Sequence, residues 1–168
     1  MQPWTKTAFQ YWQQAELPGK ANNPLIIDFF QYVEHVEPIN DETPCCAAAM
    51  NFWLEINGIT GTKSPIARSF LKWGIAIDEP QLECIVIHKS PVNLWAGHVG
   101  ILCYHNVNHH ILYGANQDNM CGFKTYPNNL IIGLRWPSPG SYQHYFNNCP
   151  PANIIREPNS PPVPPITG

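Results

Sequence analysis

Cys45 and Cys46 stand together in the segment DETPCCAAAMNFWLEING, and the second has the setting of a nucleophile. Thr43 and Pro44 precede the pair, and the residues from Cys46 onward carry helical spacing, so Cys46 falls in a first helical turn. Unpaired backbone N–H groups and the helix dipole stabilise a thiolate at that position. The three alanines that follow keep the face small, so another element can approach the sulfur. The plainer role for both cysteines is that of small buried side chains. Asp41 and Glu42, just upstream, could cap this helix or bind a substrate amine, and the cap is the plainer reading.

A thiol nucleophile needs a base held in one orientation. The stretch AGHVGILCYHNVNHHILYGANQ reads as a β-hairpin turning at Asn106-Val107-Asn108. If that loop joins His105 to His109, then His98 faces Asn116 and Gly100 faces Gly114. Side chains alternate along a strand, so these four share one face: an imidazole beside a carboxamide, next to a bare glycine pair. That gap suits the arriving end of the Cys46 helix. In this reading His98 takes the thiol proton and Asn116 holds the imidazole tautomer. Backbone N–H groups at the helix start meet the oxyanion. A loop one residue longer would bring Gln117 opposite His98 instead. The tip histidines, His105, His109 and His110, cannot all share one side of a strand, so a solvated tip is expected and no metal site.

The elements that must position these residues are legible in outline. Apolar spacing predicts helices over 4–15, 25–33, 46–57 and 65–73, with Gly58 closing the third. A polar loop over 38–44 precedes the nucleophile. Beyond Gly74 the pattern changes to short β-rich runs over 84–89, 98–105, 109–117, 122–126 and 130–136. Helices first and antiparallel strands afterwards is an α+β order. From Pro137 the chain reads as loop, and NSPPVPPITG as a polyproline-type tail. The expected division is a domain over 1–137 and a Pro-rich extension over 138–168.

At 168 residues the chain holds one compact domain. Its charged share of 12% is about half the usual one. A net charge of -3 argues against nucleic-acid binding, which needs a basic face. No run approaches the roughly 20 apolar residues of a membrane span. The first 19 residues lack the basic start and apolar core of a secretory signal. Six cysteines, at 45, 46, 84, 103, 121 and 149, show no zinc spacing.

The sequence resembles the phage-associated, NlpC-type and CHAP-type cysteine peptidases and amidases of the papain-like superfamily. The likeness runs over about 3–137 and rests on Pro3-Trp4, Glu16 with Pro18-Gly19, Asn23-Pro24, DETPCCAAAMN, Ala67-Arg68-Ser69 with Trp73-Gly74, GHVGI, GANQ and GLRWP. It implies a papain-like α+β fold and catalytic Cys46, His98 and Asn116, with Gln117 in reserve for the third role. Glu42, Cys45, Gly100 and Gly114 would line the substrate side. It also implies hydrolysis of an amide, in peptidoglycan stem peptides above all, without a cofactor. The chain departs from the family at Cys45, where Trp is usual, and at Ala49, Glu83-Cys84 and Ala115, which points to a reshaped pocket. The alternatives are a protease or deamidase effector acting on a target-cell protein, and a non-catalytic binding module. The reading expects a monomer that acts outside the producing compartment, at a cell wall, in a periplasm or in a target cell. The tail is where an immunity or export partner would dock.

Overall fold

A computed structural model describes residues 1–17, 19, 21–34, 40–91, 93 and 96–141. The Pro-rich tail, Cys149 and part of the loop before the nucleophile lie outside the described residues. The protein is a mixed α+β structure, with a few helices leading into a six-stranded antiparallel sheet.

Helix α1 (Pro3–Phe9) begins on proline, whose missing N–H has no intrahelical partner at that position in any case, and buries Trp4, Thr5 and Ala8. It is shorter than the expected 4–15 because the chain beyond it joins the sheet. Gln13 turns at φ 60 and donates its N–H to Cys121 O at 3.0 Å. Gln14 O accepts from Cys121 N–H at 2.8 Å, and Ala15 bridges Met120. Helix α2 (Pro24–Ile27), capped by the Asn23 side chain, tightens into a 3-10 turn over Asp28–Tyr32.

Helix α3 (Cys46–Glu55) is buried from Cys46 to Leu54. Gly58 closes it as expected, with φ 70, while Ile59 N–H donates back to Leu54 O at 3.0 Å. Asn51, fully buried in α3, latches the following loop. Its Oδ1 accepts from Thr62 N–H (2.6 Å) and Lys63 N–H (3.0 Å), and its Nδ2 donates to Ser64 O (3.0 Å). The helix expected over 65–73 is a 3-10 helix, Ala67–Lys72.

The strands are β1 (Ile75–Ala76), β2 (Ile85–Lys89), β3 (Gly97–His105), β4 (His109–Gln117), β5 (Met120–Pro127) and β6 (Ile131–Trp136), in the order β1-β6-β2-β3-β4-β5. Alternation gives the sheet two buried faces. On one, Ile85, Ile87, Val99, Ile101, Tyr113 and Ala115 pack in a core with the helices. On the other, Cys84, Val86, Leu102 and Leu112 form a second cluster that Tyr126, Ile131 and Leu134 cover. Ser141 O accepts from Thr60 N–H at 2.7 Å, which ties the segment after Pro137 to the loop following α3. Among the described residues, no helix is long and apolar enough to cross a membrane.

Candidate functional site

Cys46 opens α3, and Cys45 is its N-cap residue. No side chain caps that end. Asp41, expected to cap or to meet substrate, is buried and accepts instead from Asn23 N–H (2.8 Å) and Leu17 N–H (2.7 Å). These two bonds hold its carboxyl below the ordinary range. Glu42 is exposed. Burial raises the Cys46 thiol above its ordinary value, against the backbone N–H groups of Val99, Ala47 and Cys46 itself, which favour the thiolate. The resting group is therefore a neutral thiol. Cys45 is buried in the helix-side core, and burial followed by the neighbouring Cys46 pushes it up to about 12. Expected to line the substrate side, Cys45 sits at 1% exposure among core side chains. All five described cysteines are free thiols.

His98 lies on β3 directly before Val99, whose backbone N–H faces the Cys46 sulfur. Its side chain points to the second face, beside His88, its register partner on β2. Their rings are 6.2 Å apart, and the Tyr126 ring is 5.9 Å from His98. Nε2 of His98 is buried and completes no hydrogen bond of good geometry. Burial lowers the imidazole to about 4; the Gln117 side chain works the other way, and the charge of Lys124 adds to the lowering. His98 is therefore neutral at rest. Among the described residues, no hydrogen bond joins the Cys46 thiol to His98.

The expected pairing of His98 with Asn116 is corrected. At its tip the hairpin pairs His105 with His110, one residue wider than expected, and a bulge between Leu102 and Tyr104 restores the expected register at Leu102–Leu112 and Ile101–Tyr113. A second irregularity follows. Gly114 pairs with Gly122 but Gln117 with Met120, so β4 spends one extra residue, and Asn116 takes φ 57 to absorb it. The slip exchanges faces. Gln117, 3% exposed, takes the place beside His98, and the reserve candidate becomes the neighbouring carboxamide.

The glycine gap is also occupied differently from expectation. A Cβ on Gly100 would stand 2.9 Å from Tyr113 O and 3.2 Å from Leu112 Cβ, so β4 fills that space rather than α3. A Cβ on Gly114 would stand 3.3 Å from His98 Nε2 and 3.4 Å from both Gln117 Nε2 and Val99 O. Gly114 thus makes room for the imidazole and the carboxamide. Helix α3 lies against β3 and β4 from the other face. The backbone of Val99 forms the common border, with its N–H toward the thiol and its C=O toward the space above Gly114.

Two second-face residues, His88 and Tyr126, were missed in sequence, and His110, expected at a solvated tip, is instead fully buried beside them, because β5 covers that end of the hairpin. His88 Nε2 and His110 Nε2 are 2.6 Å apart, and His110 Nδ1 lies 3.0 Å from Asn128 Oδ1. That oxygen only accepts, so Nδ1 carries the hydrogen of neutral His110 and its Nε2 accepts from His88 Nε2–H. Burial, then the neighbouring imidazoles, holds His88 well below its ordinary value. The signal was available: His110 and Tyr126 are cross-strand partners once β5 is paired, but pairing β5 required its register. Among the described residues, no group of three or more His, Cys, Asp or Glu side chains is arranged to hold a metal ion. No protein-family model matches the chain, and no curated protein sequence matches it.

Proposed function

We propose that the protein is a papain-like cysteine hydrolase of amide bonds, with Cys46 as nucleophile, His98 as base and Gln117 as the carboxamide beside it. The observation that carries this is the Val99 backbone, which meets the Cys46 thiol on one side and borders the space holding His98 Nε2 and Gln117 Nε2 on the other. Thiol and imidazole both rest neutral, so proton transfer from Sγ accompanies attack on the carbonyl carbon. The imidazolium then protonates the leaving amine, and water hydrolyses the thioester. Backbone N–H groups at the start of α3 are the candidate oxyanion donors. Peptidoglycan stem peptides are the proposed substrate, on the strength of the motif resemblance.

Burial of the Cys46 sulfur favours a second reading, a non-catalytic binding module that retains the fold. Digestion of purified peptidoglycan, with the fragments weighed by mass spectrometry, separates the two. The hydrolase releases fragments that carry new peptide termini or free amines, and Cys46→Ala does not. Intact peptidoglycan that pulls the protein down would establish the binding module; cleavage of a protein substrate alone would replace the substrate class and keep the chemistry.

A further inference from the structure

Asp41 lies on the segment that enters α3, buried at 1% exposure, and among the described residues no Lys or Arg pairs with it. A buried anion is kept only where fixed donors meet it. Here the donors are backbone N–H groups: Oδ2 accepts from Leu17 N–H at 2.7 Å and from Asn23 N–H at 2.8 Å. The N–H of Asp41 itself donates to Asn22 Oδ1 at 3.1 Å. The segment it grips is anchored in turn. Asn23 Nδ2 donates to Ala15 O at 2.9 Å, and Asn23 Oδ1 accepts from Leu25 N–H at 3.0 Å. Ala15 bridges Met120, the register partner of Gln117, and Glu16 N–H donates to Asn119 O at 3.0 Å. Among the described residues, every hydrogen bond that ties 40–45 to a segment other than α3 runs through Asp41.

Cys46 and His98 reach the site from opposite faces of the sheet, so the sheet does not by itself set where the first turn of α3 lies along it. We infer that Asp41 is a positioning residue: its carboxylate ties the segment entering α3 to the strand end that carries Gln117, and so seats Cys46 against the Val99 N–H. The tie stands on the hydrogen bonds alone; its catalytic consequence rests on the hydrolase reading. Asp41 touches no reacting atom and moves no proton in this scheme. Its role is geometric, and one acceptor oxygen with two lone pairs is all that it requires. An amide oxygen has the same two lone pairs, so Asp41→Asn keeps both bonds. Asp41→Ala leaves the N–H groups of Leu17 and Asn23 without an acceptor.

Two readouts on the full chain test this. The first needs no substrate: alkylation by iodoacetamide, with each thiol followed by peptide mass spectrometry. Cys46 is 8% exposed, and Cys84, at 0% in the second-face cluster, reports any general loosening. In Asp41→Ala the start of α3 opens locally, so labelling at Cys46 rises about tenfold while Cys84 keeps its wild-type rate. Asp41→Asn labels like the wild type. The second readout is turnover: Asp41→Ala lowers kcat about tenfold with KM within about twofold, and Asp41→Asn restores kcat. Asn22 is exposed, so Asn22→Ala leaves the core untouched. Loss of its one bond raises Cys46 labelling and lowers kcat by about threefold. Unchanged Cys46 labelling in Asp41→Ala, or labelling that rises equally at Cys84, overturns the inference. So does a raised KM that Asp41→Asn fails to restore, the pattern of a carboxylate that binds a substrate amine. If Asp41→Ala does not fold, wild-type labelling and kcat in Asn22→Ala overturn it. The expected labelling in a protein that hydrolyses nothing supports the tie and removes the hydrolase reading alone.

Discussion

Acidification should weaken the fold through His98, and the size of the effect follows from its burial. Its ordinary value is 6.5 and its place in the structure lowers it to about 4. Folding favours the neutral ring, so on acidification the unfolded chain binds the proton first. The stabilisation is complete above pH 6.5 and is lost as pH falls toward 4. At 1.36 kcal/mol per pH unit, His98 alone removes about 3 kcal/mol by pH 4, a large part of the roughly 5–15 kcal/mol of a typical domain. The His88–His110 pair, also held neutral by burial, acts in the same direction. Urea denaturation followed by tryptophan fluorescence between pH 7.5 and 4.5 measures the effect. His98→Gln isolates it, because the variant cannot titrate at this position while Asp41 and the other histidines still do. Its curve should be flatter than that of the wild type by about 1.36 kcal/mol per pH unit below pH 6. Equal slopes in the two proteins would refute the reasoning.

Two other substitutions follow from the same geometry. Asn51→Ala leaves the N–H groups of Thr62 and Lys63 without their acceptor inside the fold and should cost about 3 kcal/mol, read from the urea midpoint. Gly100→Ala drives a methyl to 2.9 Å from a backbone oxygen and should destabilise by about 2 kcal/mol, whereas Gly114→Ala meets the side chains of His98 and Gln117 at 3.3–3.4 Å. The Gly114 variant should therefore lose more turnover and less stability than the Gly100 variant, a contrast that kinetics and denaturation check together.

The sequence carried the α+β order, the positions of five strands and the first turn of α3, because alternation, helical spacing and Gly58 report them directly. It did not carry β1, two residues long and exposed on both faces. Helix α1 was overextended because Tyr11 continues the apolar spacing from Trp4 and Ala8, while only tertiary pairing shows that Gln13 and Gln14 belong to the end of β5. The hairpin register was recovered in its middle through two offsetting errors, a wider tip and an unseen bulge at Cys103. The second irregularity, at Asn116, had nothing to offset it, and it moved the carboxamide beside His98 from Asn116 to Gln117. Bulges escape a reading that counts every second residue. The available hint was chemical: asparagine tolerates a left-handed backbone better than most residues, and Asn116 shares that conformation with Asp118 and Asn119 in the turn that follows. The helix-facing role of Gly100 and Gly114 failed for a related reason. Alternation says that His98 and the glycines share a face, but not which face α3 covers.

The central claim is that Cys46 becomes covalently attached to the carbonyl of a cleaved amide. Its most direct test is rapid-quench mass spectrometry of the protein mixed with soluble peptidoglycan peptides, followed by acid proteolysis to find the modified segment. The account predicts a thioester on the Cys46 peptide, formed and lost within turnover and missing in Cys46→Ala. Hydrolysis that continues undiminished in Cys46→Ala, with no adduct on any cysteine of the wild type, would contradict it.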